Sequence, residues 1–185
     1  MLLPMNQLAE EVYVIDAPVA HFGTSGIQFL KEHVYKTKRK RVRVCMHKNI
    51  EEYLHEMFVC YVKETYVRPN KHIQKDESLH IIYGAADFIF FDDNGVITDI
   101  VPLGDCKSGR NFYCRIPESV YHTFVIKSDI IVIHESTPGP FRREDTVFAP
   151  WAPEEGDAAN ANLYMDELAL RALNTQSCKG LGELV

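Results

Sequence analysis

Cysteine is scarce in this chain and odd in number. Cys45, Cys60, Cys106, Cys114 and Cys178 make five, and no two of them form a C-x-x-C pair. That argues against a disulfide framework or a zinc ribbon. Several of these thiols fall in apolar, strand-like runs, where cysteine packs as a small hydrophobe. Long hydrophobic runs are also missing: none approaches the ~20 residues that span a bilayer. The opening "MLLPMNQLAEEVYV" lacks the basic start and apolar core of a secretory signal. The expectation is a soluble cytoplasmic protein with no membrane partner. An excess of positive charge is absent as well. Twenty Lys+Arg stand against 26 Asp+Glu, a net charge of −6. That sign is wrong for general nucleic-acid binding, which needs a basic surface to displace counterions. One run, "KTKRKRVR" from Lys36 to Arg43, opposes the trend. It reads as the solvated end of a helix followed by an exposed strand edge, since cations suit a helix C-terminus. No internal repeat, low-complexity segment or helix-turn-helix region is visible.

What remains is an ordinary globular composition. A chain of 185 residues, 46% hydrophobic and 25% charged, suits one domain with a real core. "TSGIQFLKEHVYKTKRK" carries Ile27, Leu30 and Val34 at helical spacing, with Thr24 or Ser25 as its cap. "RVRVCMH" alternates and predicts a strand. "NIEEYLHEM" is ambiguous between a turn and a short helix. From "FVCYV" onward short β-branched and aromatic runs follow one another: "SLHIIYG", "ADFIFFD", "VITDIVPL", "NFYCRIP", "HTFVI" and "DIIVIHES". "DDNG" at Asp92–Gly95 is a strong hairpin signal, and "KSGR" and "KSD" are weaker ones. Seven or so short strands without crossover helices imply a β-sandwich or small barrel. Past Ser136 the chain becomes rich in proline and aromatics, and "ANLYMDELALRALN" has the imperfect spacing of a final helix. The expected organisation is an N-terminal helix-strand extension over 1–50, a barrel over 51–157 with a wrapping Pro/aromatic segment, and a C-terminal tail over 158–185.

The stretch "RPNKHIQKDESLHIIYG", Arg68 to Gly84, concentrates groups that metals favour. Alternation puts Asn70 and His72 on one strand face. It puts Glu77 with Leu79, Ile81 and Tyr83, and His122 with Phe124 and Ile126. Each polar group then stands on a large apolar face near a strand end. Two imidazoles and a carboxylate suit a divalent transition metal with open positions. The same residues also fit ordinary polar positions at strand ends, and spacing alone does not choose. Glu135 shares parity with Ile131 and Ile133, so it is a candidate interior acid or base, with a structural salt bridge as its alternative. Tyr121 is a second candidate, with core filling as its alternative. His80 falls on the face opposite Glu77. "RRED" at Arg142–Asp145 is expected to form ion pairs that pin the tail across the barrel.

These motifs resemble those of cupins. His72, four residues, Glu77, six residues and Gly84 follow the H-x3–4-E-x6-G portion of the first cupin motif. "PESVYH" follows the second, P-x-G-x2-H, through Pro117 and His122, with Ser119 in the glycine place. More narrowly, "LHEM", "YVRP", "ESLHIIYG", "SGRNFYCRIP", "VYHT" and "FRREDTVFAPWAPEE" are similar to the WbuC-type cupins over roughly residues 6 to 157. That resemblance implies a mainly β protein, a cupin-type antiparallel β-barrel of the jelly-roll class. It also implies one divalent metal ion (zinc, iron, manganese or nickel) on His72, Glu77 and His122. It further implies bacterial surface-polysaccharide (O-antigen-type) biosynthesis, a carbohydrate-related small-molecule partner, and pairing as a homodimer. Asn70 departs from the pattern, because it occupies the place of the first motif histidine. An amide oxygen is neutral and a weaker donor than imidazole. The expected site therefore has three strong ligands and binds metal weakly, with loss of the metal as the alternative. Three functions follow: a small metal-dependent enzyme, a non-catalytic sugar-binding module, or a metal-free epimerase or isomerase.

Overall fold

A computed structural model describes residues 3–182, and side chains up to residue 175. In chain order the elements are β1 (Met5–Ala9), β2 (Val12–Ile15), α1 (Thr24–Val34), β3 (Arg41–Cys45), β4 (Leu54–Val62), β5 (Asn70–His72), β6 (Glu77–Tyr83), β7 (Ala85–Phe91), β8 (Ile97–Gly104), β9 (Tyr113–Ile116), β10 (Tyr121–Ile126), β11 (Ile130–Pro138), β12 (Thr146–Phe148) and α2 (Ala158–Gly182). The strands form two sheets, ordered β1-β2-β3-β4-β11-β6-β9 and β12-β5-β10-β7-β8. All pairs are antiparallel except β2 with β3. Consecutive strands repeatedly cross from one sheet to the other, and the two inner faces close on a shared core. This is a jelly-roll β-barrel, the fold class expected from the sequence. Among the described residues no helix is long and apolar enough to cross a membrane.

Alternation decides which residues meet. On β6, Glu77, Leu79 and Ile81 are buried while Ser78, His80 and Ile82 are not. Leu79 and Ile81 join Phe88, Phe124, Ile131 and Ile133 in the core between the sheets. On β3, Val42 and Val44 turn the other way and pack with Leu30 and Val34 of α1. A third cluster lies outside the second sheet, where Ile89, Phe91 and Tyr121 meet Trp151 and the buried Leu168 and Ala172 of α2.

Four sequence expectations need correction. The helix start is capped by Gly23 rather than by Thr24 or Ser25, and no side-chain cap bond forms. The ring of Phe22 packs so closely on Gly26 that a Cβ there would meet it at 2.6 Å, which sets the entry of the chain. "NIEEYLHEM" is turns and then strand, because Leu54–Val62 pairs along its whole length with β11. Tyr83 leaves the inner face, since the register between β11 and β6 shifts between Val132 and Ile133. It is exposed on the outside, with the Lys31 ammonium 3.2 Å from its ring centroid. Finally, β3 is no edge. It lies between β2 and β4, because Val12–Ile15, unread as a strand from sequence, comes back to pair with it.

The proline-rich segment is held by ion pairs and backbone hydrogen bonds. Arg142 donates to both Glu51 oxygens at 2.9 Å, and Lys75 pairs with Asp145 at 2.8 Å. Ala149 N donates to the Pro69 carbonyl, and Tyr66 Oη to Pro153 O. Trp151 lands on the outer cluster against Phe91 and Tyr121, so it leaves the interior of the roll unplugged.

Candidate metal centre

Three donors converge at one end of the roll. His72 ends β5, Glu77 begins β6 and His122 lies in β10. The positive-φ residue Gln74 (φ 60°) turns the chain between the first two. His122 stands directly across from Asn70, and Thr146 of β12 stands across from His72. Glu77 Oε1 lies 3.1 Å from His72 Nε2, and Oε2 lies 3.1 Å from His122 Nε2. One ligand atom from each of the three residues lies within 4.8 Å of the others.

The outer ring nitrogens show what this arrangement is suited to hold. His122 Nδ1 is 3.0 Å from the Val120 carbonyl, which can only accept, so Nδ1 carries the proton. In a neutral ring the Nε2 lone pair then points at a carboxylate oxygen. That contact is repulsive unless a proton or a cation lies between them. His72 Nδ1 meets Thr146 Oγ1 at 3.2 Å, a hydroxyl that can accept in the same way. An outward Nδ1–H bond that leaves Nε2 free is the tautomer of a metal-ligating histidine. The donor set and its tautomers therefore fit a divalent transition metal.

Without a cation the charges are arranged among the three groups themselves. Burial pushes the Glu77 carboxyl up, but the hydrogen bonds to His122 and His72 outweigh it and hold Glu77 far below the usual carboxylate range. Burial pulls His72 down, and its bond to Glu77 more than reverses this, so its net shift is upward. Asn70 is buried and lines the same cavity. Its Nδ2 donates to the Arg68 carbonyl at 3.0 Å. That bond orients the amide and turns Oδ1, its only coordinating atom, away from the carbonyl.

Glu135 also lines the cavity. Leu79 is its cross-strand partner on β6, so Glu77 lies diagonally beside it on the inner face. Burial, reinforced by the Glu77 charge, pushes its carboxyl up to about 7, against the opposing pull of Arg43 and both histidines. Tyr121 is placed elsewhere. It neighbours His122 in sequence and therefore points to the opposite face, packed against Trp151 with Lys71 over its ring. Its hydroxyl does not reach the cavity. Tyr61, which no motif singles out, lines the cavity instead, against Phe124. His80 faces outward against Phe112, and His134 against Phe58. The cavity has a volume of about 440 Å³, within the range that takes small molecules.

Ser119 explains a detail of the second motif. It adopts φ 63°, the left-handed region that glycine occupies without strain. Its N–H donates to the His72 carbonyl at 2.8 Å, tying the turn before β10 to the histidine of β5. Ser119→Gly is expected to stabilise the protein by about 0.5–1 kcal/mol, relief of left-handed strain less the entropy that glycine adds to the unfolded chain. A lower midpoint in urea unfolding would contradict it.

Residues 24–103 match the family described as a domain of unknown function, DUF6016. No curated protein matches the chain. Among solved structures the chain is similar to KdgF from Halomonas sp., with 13% identity over 56% of this chain and 82% of that one, and a TM-score of 0.44. It is similar to a point mutant of the Bacillus subtilis oxalate decarboxylase OxdC, with 20% identity over 60% and 29%, and a TM-score of 0.44. It is also similar to CapF solved with the inhibitor 3-isopropenyl-tropolone, with 15% identity over 60% and 32%, and a TM-score of 0.49. The chain spans less than a third of the length of the latter two.

Proposed function

We propose that this chain is a cupin metalloprotein, a small enzyme whose divalent metal is held by His72, Glu77 and His122, with Asn70 Oδ1 as a weaker fourth donor. The observation that carries this is the pair of 3.1 Å contacts from Glu77 to two ring nitrogens, one of which has its proton committed to the Val120 carbonyl. A bound divalent cation would supply a Lewis acid for a carbonyl or hydroxyl oxygen of the substrate. Glu135 is the proton carrier: a carboxyl raised to about 7 both donates and accepts near neutral pH. The apolar inner wall of Leu79, Ile133, Phe88 and Phe124 limits water around the reacting groups. The substrate is a carbohydrate or sugar-nucleotide intermediate of bacterial surface-polysaccharide assembly. That part rests on the WbuC-type resemblance of the sequence alone.

Elemental analysis of the purified chain tests the metal. One divalent transition metal per chain is expected, lost in both His72→Ala and His122→Ala. Asn70→His should tighten binding at least about tenfold, as imidazole replaces a neutral amide. Wild-type protein that stays metal-free after supplementation, or His122→Ala that takes up the same amount, would end the reading.

A further inference from the structure

The basic run Lys36–Arg43 is not spent on solvent. Its arginines at 39, 41 and 43 all line the cavity described above. Two of them are fully engaged. Arg39 donates through Nε and Nη2 to Glu11, at 2.8 and 2.6 Å. Arg41 bridges Glu11 and Glu155, with Nη1 3.0 Å from Glu155 Oε1. Glu11 is buried and Glu155 belongs to the proline-rich strap, so these pairs close one side of the mouth.

Arg43 differs. Its side chain forms no hydrogen bond or ion pair among the described residues, although its backbone N–H donates to the Glu11 carbonyl at 2.8 Å, and it is exposed at the mouth. It shares the inner face of β3 with Arg41 and with buried Cys45, while Val42 and Val44 face α1. Its cross-strand partners are Val12 on β2 and Val59 on β4. No acid stands opposite it on either strand to pair with its charge. Val59 in turn pairs with Ile133, two residues before Glu135. The guanidinium thus starts two strand spacings, about 10 Å, from the strand that carries Glu135. It is near enough that its charge pulls the Glu135 carboxyl down against burial.

We propose that Arg43 anchors an oxyanion, carboxylate or phosphate, of the molecule that the cavity takes, so that the substrate is an acidic or phosphorylated compound of sugar size. A guanidinium presents a planar fork of donors that matches either group in two parallel bonds. The engaged arginines beside it keep that fork from collapsing onto Glu11 or Glu155, whose oxygens are already shared. The anion then sits at the mouth, and the rest of the molecule extends inward toward Glu135 and the three ligands. This rests on the reading of the cavity as the substrate site, but not on metal occupancy.

Calorimetric titration of the full chain, both metal-loaded and chelator-stripped, with glucuronate, glucose 6-phosphate and glucose tests this. Saturable binding of one anion at millimolar concentration is expected, with glucose far weaker; which anion binds separates carboxylate from phosphate. Arg43→Gln should weaken that binding about tenfold or more, and Arg43→Lys less, because lysine keeps the charge but not the fork. Metal content of Arg43→Gln should equal that of wild type. Equal binding of glucose, unchanged affinity in Arg43→Gln, or no saturable binding of either anion would overturn the anchor. Wild type that takes up no metal on supplementation yet binds the anion through Arg43 would overturn the metal reading and leave the anchor standing.

Discussion

Glu77→Ala is expected to cost the metal-free protein about 3 kcal/mol of stability near pH 5–6, the scale seen when one partner of a buried ionic group is removed. It is also expected to abolish metal uptake. The wild-type carboxylate is buried and accepts from two imidazoles at 3.1 Å. Alanine leaves two rings facing a void, with nothing to accept from a charged one. The pH dependence has two limbs. Glu77 is depressed in the folded state, so its contribution is present above the ordinary carboxyl value of 4.5 and fades as pH falls through the folded value. His72 is raised, so its contribution is complete below the ordinary imidazole value of 6.5 and is lost as pH rises through the folded value. The gap between wild type and Glu77→Ala is therefore widest between those two values. Urea unfolding across pH 4–8, with chelator present, measures it. A gap that stays flat with pH, or metal retained by the variant, would refute the account.

Glu135→Gln is expected to act with the opposite sign. Burial first, and the neighbouring Glu77 charge second, raise the Glu135 carboxyl from 4.5 to about 7. The folded state then holds a proton that the unfolded chain releases. Stability falls as pH rises from about 4.5 through about 7, and the penalty is constant above that. The shift corresponds to roughly 3 kcal/mol, reduced to about 2 because part of the side chain faces the open cavity. Glutamine cannot ionise. In chelated protein Glu135→Gln should match wild type near pH 4 and exceed it at pH 8. Activity, once a substrate is in hand, should drop by about 10²–10³ in the same variant, the usual share of a positioned acid or base. Wild type that is no less stable than the variant at pH 8 would remove Glu135 as a buried acid.

Much of the candidate site was legible through the resemblance to cupin motifs, where spacing alone left the choice open. The positions of His72, Glu77, Gly84, Pro117 and His122 pointed to one hairpin and one turn, and alternation put Glu135 on the inner face. Tyr121 was misplaced although the same rule could have corrected it: a residue beside His122 on a regular strand must face away from it. Arg43 was legible in hindsight, since "RVRVC" alternates and sends Arg41, Arg43 and Cys45 to one side. What hid its meaning was the neighbour relation. Nothing local to β3 says that β2 will cover its free edge, or that Glu11 and Glu155 will claim Arg39 and Arg41.

The amino-acid order by itself determined what is local: period-two alternation, the turn at Asp92–Gly95, the apolar spacing of α1, and so the set of side chains available to an interior. Backbone sterics and burial act over a few residues, which is why those features could be read directly. Only the tertiary structure decided which of the available groups meet. Glu77 between two imidazoles, Arg43 between two valines, and Tyr83 turned outward by a shift in register all depend on pairings between distant strands. Those pairings are settled by the packing of two whole sheets against each other, and no single segment carries that information.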